Sequence, residues 1–172
     1  MLKYSALLGT FALALAAGAS MPASAATKII SLSGPSFVRH CPCTSSTVEN
    51  VENGMLVPTD EQTFYANVDF PVDGEKICSV SMYYEDLNAN DSLKVTLKRK
   101  AIVSTSAETA PSVLATLTSQ SGVTTNMRKV TTTAISKPLI DEAKGFYYVE
   151  AKAITTNLNL VGVQITTGPT CK

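Results

Sequence analysis

The strongest constraint on the fold is the two-residue alternation across residues 63–100. In 63–70, Phe64, Ala66, Val68 and Phe70 fall on one face, and Tyr65, Asn67 and Asp69 on the other. In 76–84, Cys78, Val80, Met82 and Tyr84 alternate with Ile77, Ser79, Ser81 and Tyr83, and the first set reads as the buried face. In 92–100, Leu93, Val95 and Leu97 point in, while Lys94, Thr96, Lys98 and Lys100 point out. A helix buries every third or fourth residue, so this pattern is that of half-buried β-strands. Pro71-Val72-Asp73-Gly74 and the acidic stretch 85–91 supply the turns between them.

The rest of the chain continues in the same period. Strands are expected at 27–32, 55–58, 113–117, 127–134, 146–153 and 158–165, with one helical turn near 140–145. Asn53-Gly54 marks a turn, Pro58 confines its strand to an edge or end, and 37–43 reads as a pinned loop. Eight or nine short strands without a long amphipathic helix imply an all-β, antiparallel, jelly-roll-like sandwich.

Residues 1–25 are expected to be a signal peptide. Lys3 is followed by an Ala-rich apolar run and Ala23-Ser24-Ala25 ends it as a small-x-small cleavage site. That run is too short to span a bilayer well, and no later stretch is longer. Residues 26–172 then form one exported domain, in a periplasm or outside the cell. Fourteen cations balance fourteen acids and Trp is absent, which argues against a nucleic-acid binder and weakens a stacking platform.

An even cysteine count in an exported chain predicts two disulfides among Cys41, Cys43, Cys78 and Cys171. A Cys41–Cys43 ring across Pro42 would be strained, so each is expected to reach a distant partner. A bridge from that pair to Cys171 would close a loop of about 130 residues, worth ~4 kcal/mol in the chain-entropy model. Cys78 would then hold the same N-terminal segment to the strand at 76–84.

The run Phe64-Tyr65-Ala66, Phe70-Pro71, Gly74, Ile77, Ser79-Val80, Tyr83-Tyr84 and Asp86 resembles a segment of exported bacterial β-sandwich domains of unknown function. Leu97-Lys98-Arg99, Tyr147-Tyr148-Val149 and Leu160-Val161-Gly162-Val163-Gln164-Ile165 are also similar to that pattern. The likeness covers 63–167. Phe70 stands where Leu is usual, Cys78 is outside the pattern, and so is the Cys41/Cys43 segment. It implies a jelly-roll-like sandwich in an exported bacterial protein and no catalytic residue.

Several clusters have a chemical reading beside a plainer one. Asp86, Asn88, Asn90 and Asp91 alternate oxygens as a calcium loop does, but Gly and Glu are missing where an EF-hand needs them. The plainer reading is turn geometry. His40, Cys41 and Cys43 suit a soft metal or a redox pair, against structural disulfides. No Gly-x-Ser-x-Gly elbow is present, and the carboxylate pairs Asp69/Asp73 and Glu85/Asp86 sit in turns where water keeps them ionised. Lys94, Lys98 and Lys100 would meet an anionic glycan or lipid, or protect an edge or open face against wrongful pairing. Tyr65, Tyr83, Tyr147 and Tyr148 would form an outer aromatic patch for a sugar or a subunit.

The sequence thus points to a non-catalytic structural or interaction protein with no cofactor, binding other protein chains or copies of itself. Its alternatives are a carbohydrate-binding module and an envelope metal or redox protein using the His-Cys-Pro-Cys segment.

Overall fold

The computed structural model describes residues 26–39, 50–58, 62–87, 92–102, 110–153 and 157–171. The expected leader, His40, Cys41, Cys43, Asn88, Asn90 and Asp91 lie outside the described residues. Eleven strands are described: β1 (Lys28–Ser33), β2 (Val38–Arg39), β3 (Asn50–Glu52), β4 (Met55–Val57), β5 (Gln62–Val68), β6 (Lys76–Asp86), β7 (Leu93–Ala101), β8 (Ser112–Thr118), β9 (Thr124–Thr132), β10 (Gly145–Ala153) and β11 (Leu158–Gly168). All nine expected strands are present; β2 and β3 are the short additions. The helical turn is a 3₁₀ turn at Glu142–Lys144.

Every named strand pair is antiparallel. One sheet runs β3-β4-β11-β6-β9, with β1 also paired to β11; the other runs β2-β5-β10-β7-β8. The chain is therefore an all-β, jelly-roll-like sandwich. Asn53 and Gly54 both take positive φ, 52° and 78°, which the tight turn between β3 and β4 requires.

The alternating residues meet between the sheets. Val80, Met82 and Tyr84 of β6 face Val95 and Leu97 of β7 and Val149 of β10, with Leu158, Leu160 and Ile165 of β11 sealed beside them. Each such side chain contributes roughly 1.5–3 kcal/mol on leaving water. Tyr84 needs a partner for its hydroxyl, which accepts the Gln120 backbone N–H at 2.8 Å. That bond ties β6 of one sheet to the chain leaving β8 of the other.

Two bulges interrupt the β6–β11 pairing, and the first corrects the sequence reading. Ser79 pairs with Thr166 but Ile77 with Thr167, so Cys78 is the extra residue on β6. Ile77 is buried in its place, and Cys78 turns toward the surface rather than into the core. There it bonds Cys171. The expected pairings of Cys41 and Cys43 with Cys78 and Cys171 are therefore overturned, because those two hold each other. The second bulge, at Val161, lies between Leu160↔Tyr84 and Gly162↔Tyr83.

Two further expectations change, and a third is narrowed. Tyr147 is buried, not on an outer patch: its ring meets Phe70 edge-on at 5.0 Å and its hydroxyl accepts the Asp141 N–H at 2.9 Å. Asp86 ends β6 with no exposed surface, so it is not a solvated turn residue. Of the two places expected for the β7 lysines, an edge or an open face, they take the open face, since β7 lies between β10 and β8.

The β5–β6 turn and the segment before β10 close one end of the sandwich. Phe70 N–H donates to Glu142 Oε1 at 2.7 Å, and Glu142 N–H to Asp73 Oδ1 at 2.8 Å. Gly74 N–H reaches Ile140 O and Ile140 N–H reaches Glu75 O, which seats buried Ile140. Glu75 also takes Lys28 Nζ at 2.7 Å and the Thr167 hydroxyl at 3.1 Å. The bond from Lys28 holds the Glu75 carboxyl below its ordinary 4.5, against the opposing effect of burial. A depressed folded value stabilises the fold above pH 4.5 and loses that contribution as pH falls through the lower value. Glu75→Gln should therefore flatten the acid limb of stability against pH in urea titrations below pH 5. An unchanged limb would show that the Lys28–Glu75 pair carries none of it.

Candidate functional site

The outer face of the six-stranded sheet bears a groove of about 360 Å³. Four strands build it in register. One row runs Ser33, Gly162, Tyr83, Lys129 across β1, β11, β6 and β9; the next runs Ser31, Gln164, Ser81, Thr131. These residues share the outward phase because the Val161 bulge moves β11 by one residue. Leu160 still faces the core, while Gly162 and Gln164 turn outward.

Gly162 makes the floor. A β-carbon there would stand 2.5 Å from the Leu32 carbonyl oxygen, so only glycine lets β1 lie this close to β11. Tyr83 stands opposite Gly162 and donates its hydroxyl proton to Gln164 Oε1 at 2.8 Å. Gln164 Nε2 in turn donates to the Ser31 hydroxyl at 3.4 Å, so the amide is held from both sides. The Lys129 ammonium lies over the Tyr83 ring, 5.3 Å from its centre. Met127 and Val161 complete an apolar lining, with Met127 largely exposed.

Among the described residues no carboxylate, imidazole or thiol lines this groove. Its polar groups are a phenol, an amide and serine hydroxyls, set around apolar surface. Such a lining orients a ligand by hydrogen bonds.

The other residues singled out from the sequence are divided between locations. Tyr65 and Tyr148 lie together on the outer face of the five-stranded sheet, their ring centres 5.8 Å apart. Burial and then the Glu150 carboxylate push the Tyr65 phenol above its ordinary value; burial raises Tyr148, opposed by Lys98. Lys98 bonds Glu150 at 2.6 Å, and Lys94 is exposed beside it. Lys100 lies opposite Phe146, which is 69% exposed. Tyr83 alone of the four tyrosines reaches the groove. Among the described residues no group of three or more His, Cys, Asp or Glu is placed to hold a metal.

Ser31, Ser33, Gly162, Gln164 and Lys129 were not singled out from the sequence as site residues. Period two places Ser31 and Ser33 on one face of 27–32 and its extension, but their neighbours come from strands up to 133 residues away. Only the pairing of β11 with β1 and with β6, and of β6 with β9, brings them together.

No protein-family model matches this chain, and no curated protein does. Among solved structures it is similar to the CBM36-1 domain of a multidomain xylanase from the hindgut metagenome of Trinervitermes trinervoides. Identity is 13% and the TM-score 0.47, over 80% of this chain and 96% of that one. It is also similar to the C-terminal CBM6 of LamC, a marine laminarinase from Zobellia galactanivorans, at 14% identity and TM-score 0.44, over 81% and 99%. A third, the CBM22-1-GH10 modules of Clostridium thermocellum xylanase 10B, gives 16% and 0.44, and this chain spans 27% of its length.

Gly162→Ala should destabilise the fold by about 1–3 kcal/mol, because β1 must move away from β11 to admit the methyl group. Urea unfolding measures the loss. A cost near zero would mean that the close approach at Leu32 is not required.

Proposed function

We propose that the protein is an exported, non-catalytic binding domain that seats a neutral glycan in the groove at Tyr83. The observation that carries this reading is the lining itself. A sugar presents apolar C–H faces edged by hydroxyls, and the groove sets a tyrosine ring and aliphatic side chains beside a fixed amide and serine hydroxyls. That none of the described lining residues is an acid or base accords with binding rather than turnover. Export is supported by the Cys78–Cys171 bond, which persists in oxidising compartments.

A glycan array followed by titration of the best ligand tests this. Tyr83→Phe should weaken binding severalfold by freeing Gln164, and Tyr83→Ala by at least tenfold, about 1.4 kcal/mol. Both variants should keep most of their stability, since Tyr83 is half-buried on an outer face. Tyr147→Ala would instead unfold the core and reports nothing on the groove. Undiminished binding by Tyr83→Ala, or an array without any neutral ligand, would exclude this site.

A second reading, self-association or docking of another chain, is favoured by the edge at β1. Among the described residues this strand pairs only with β11, and Ile29 is 64% exposed on it. An uncovered edge offers backbone donors and acceptors to an incoming strand. If it is used, sedimentation will show a concentration-dependent oligomer that Ile29→Lys reduces to monomer. A monomer at all concentrations, or an oligomer indifferent to Ile29→Lys, removes β1 as the contact.

A further inference from the structure

The five-stranded sheet carries a different surface on its outer face, and its chemistry differs from that of the groove. Along β7 the outward residues are Lys94, Thr96, Lys98 and Lys100; across β10 they face Lys152, Glu150, Tyr148 and Phe146 in that order. Two of these pairs combine an ammonium with an aromatic ring, Lys98 with Tyr148 and Lys100 with Phe146. A third sets Lys94 directly opposite Lys152, both of them exposed. Like charges opposed in an antiparallel ladder are unfavourable. Among the described residues four lysines lie on this face with Glu150, and Asp69 and Glu142 stand at its end beside Phe146. Glu150 is engaged by Lys98 at 2.6 Å.

The spacing is as informative as the charge. Alternate residues of a strand repeat every ~7 Å, so the lysines from Lys94 to Lys100 extend over roughly 20 Å of rigid sheet. A single small anion would use one step of that ladder; a polymer with repeated negative groups would use all of it. Tyr65 and Tyr148 half-bury their rings along the same path, and Phe146 leaves most of its ring in water. Sugar C–H faces fit such rings while their acidic substituents meet the adjacent ammonium groups. From this arrangement we infer that the outer face of the five-stranded sheet binds a linear polysaccharide bearing carboxylate or sulfate groups. This surface is independent of the groove, because the two lie on opposite sheets.

The experiment is affinity electrophoresis of the full chain through gels containing polygalacturonate, dextran sulfate or neutral dextran, with polyglutamate as a polyanion without sugar rings. Retardation is expected with polygalacturonate or dextran sulfate, which between them separate carboxylate from sulfate. It should weaken with added salt. The Lys94→Gln/Lys152→Gln pair should lower affinity about tenfold. Phe146→Ala should lower it severalfold with charge unchanged. Tyr83→Ala should leave it intact, which distinguishes this surface from the groove. Both substituted strands keep their core residues, and a melting curve equal to the parent's confirms that the variants fold. No retardation by either acidic polysaccharide would overturn the inference. So would retardation that survives the double lysine variant, or equal retention by polyglutamate together with indifference to Phe146→Ala, which would reveal charge alone.

Discussion

The pairing of β6 with β11 is the constraint on which the remaining structure depends. These are the two longest strands, and together they form the middle of the six-stranded sheet. Their inward residues, Val80, Met82 and Tyr84 against Ile165, Val163 and Leu160, are sealed from water, so the register cannot slip without exposing them. Apart from β3, which pairs with β4, every other strand of that sheet pairs with one of these two. β1 and β4 share the free side of β11, and β9 takes the free side of β6.

Each strand of this pair carries one extra residue, near opposite ends, and the two insertions have different consequences. At Cys78 the insertion returns Ile77 to the core and leaves the thiol side near the surface, where the chain end can reach it. At Val161 the insertion turns Gly162 and Gln164 outward in front of Tyr83. A β-bulge thus converts a regular sheet face into a groove with a glycine floor. The disulfide and the candidate site both follow from places where alternation fails.

The two outer faces divide the polar chemistry of the molecule. The six-stranded face presents an amide and hydroxyls joined by the bonds from Tyr83 to Gln164 to Ser31, with the Lys129 ammonium over the Tyr83 ring. The five-stranded face presents lysines and aromatic rings in alternating register. Two antiparallel sheets back to back allow this because each strand commits only half of its residues to the core. The outward half is then available for recognition without loss of packing.

How much of this could be read in the chain depends on the range of the interactions involved. Alternation over 63–100, 146–153 and 158–165, the turns at Pro71 to Gly74 and Asn53-Gly54, and the missing helical period determined the strands and the all-β class. These are local properties of neighbouring residues, and the sequence displays them directly. The partner of Cys78, the burial of Tyr147 and the interior place of the β7 lysines were decided by tertiary structure. So was the meeting of Ser31 with Gln164 across the sheet. Strand order and bulge position are set by which faces pack best across the whole sandwich, and one residue of slip reverses inside and outside. The strands were therefore legible one at a time, whereas the groove and the lysine ladder exist only once distant strands have paired.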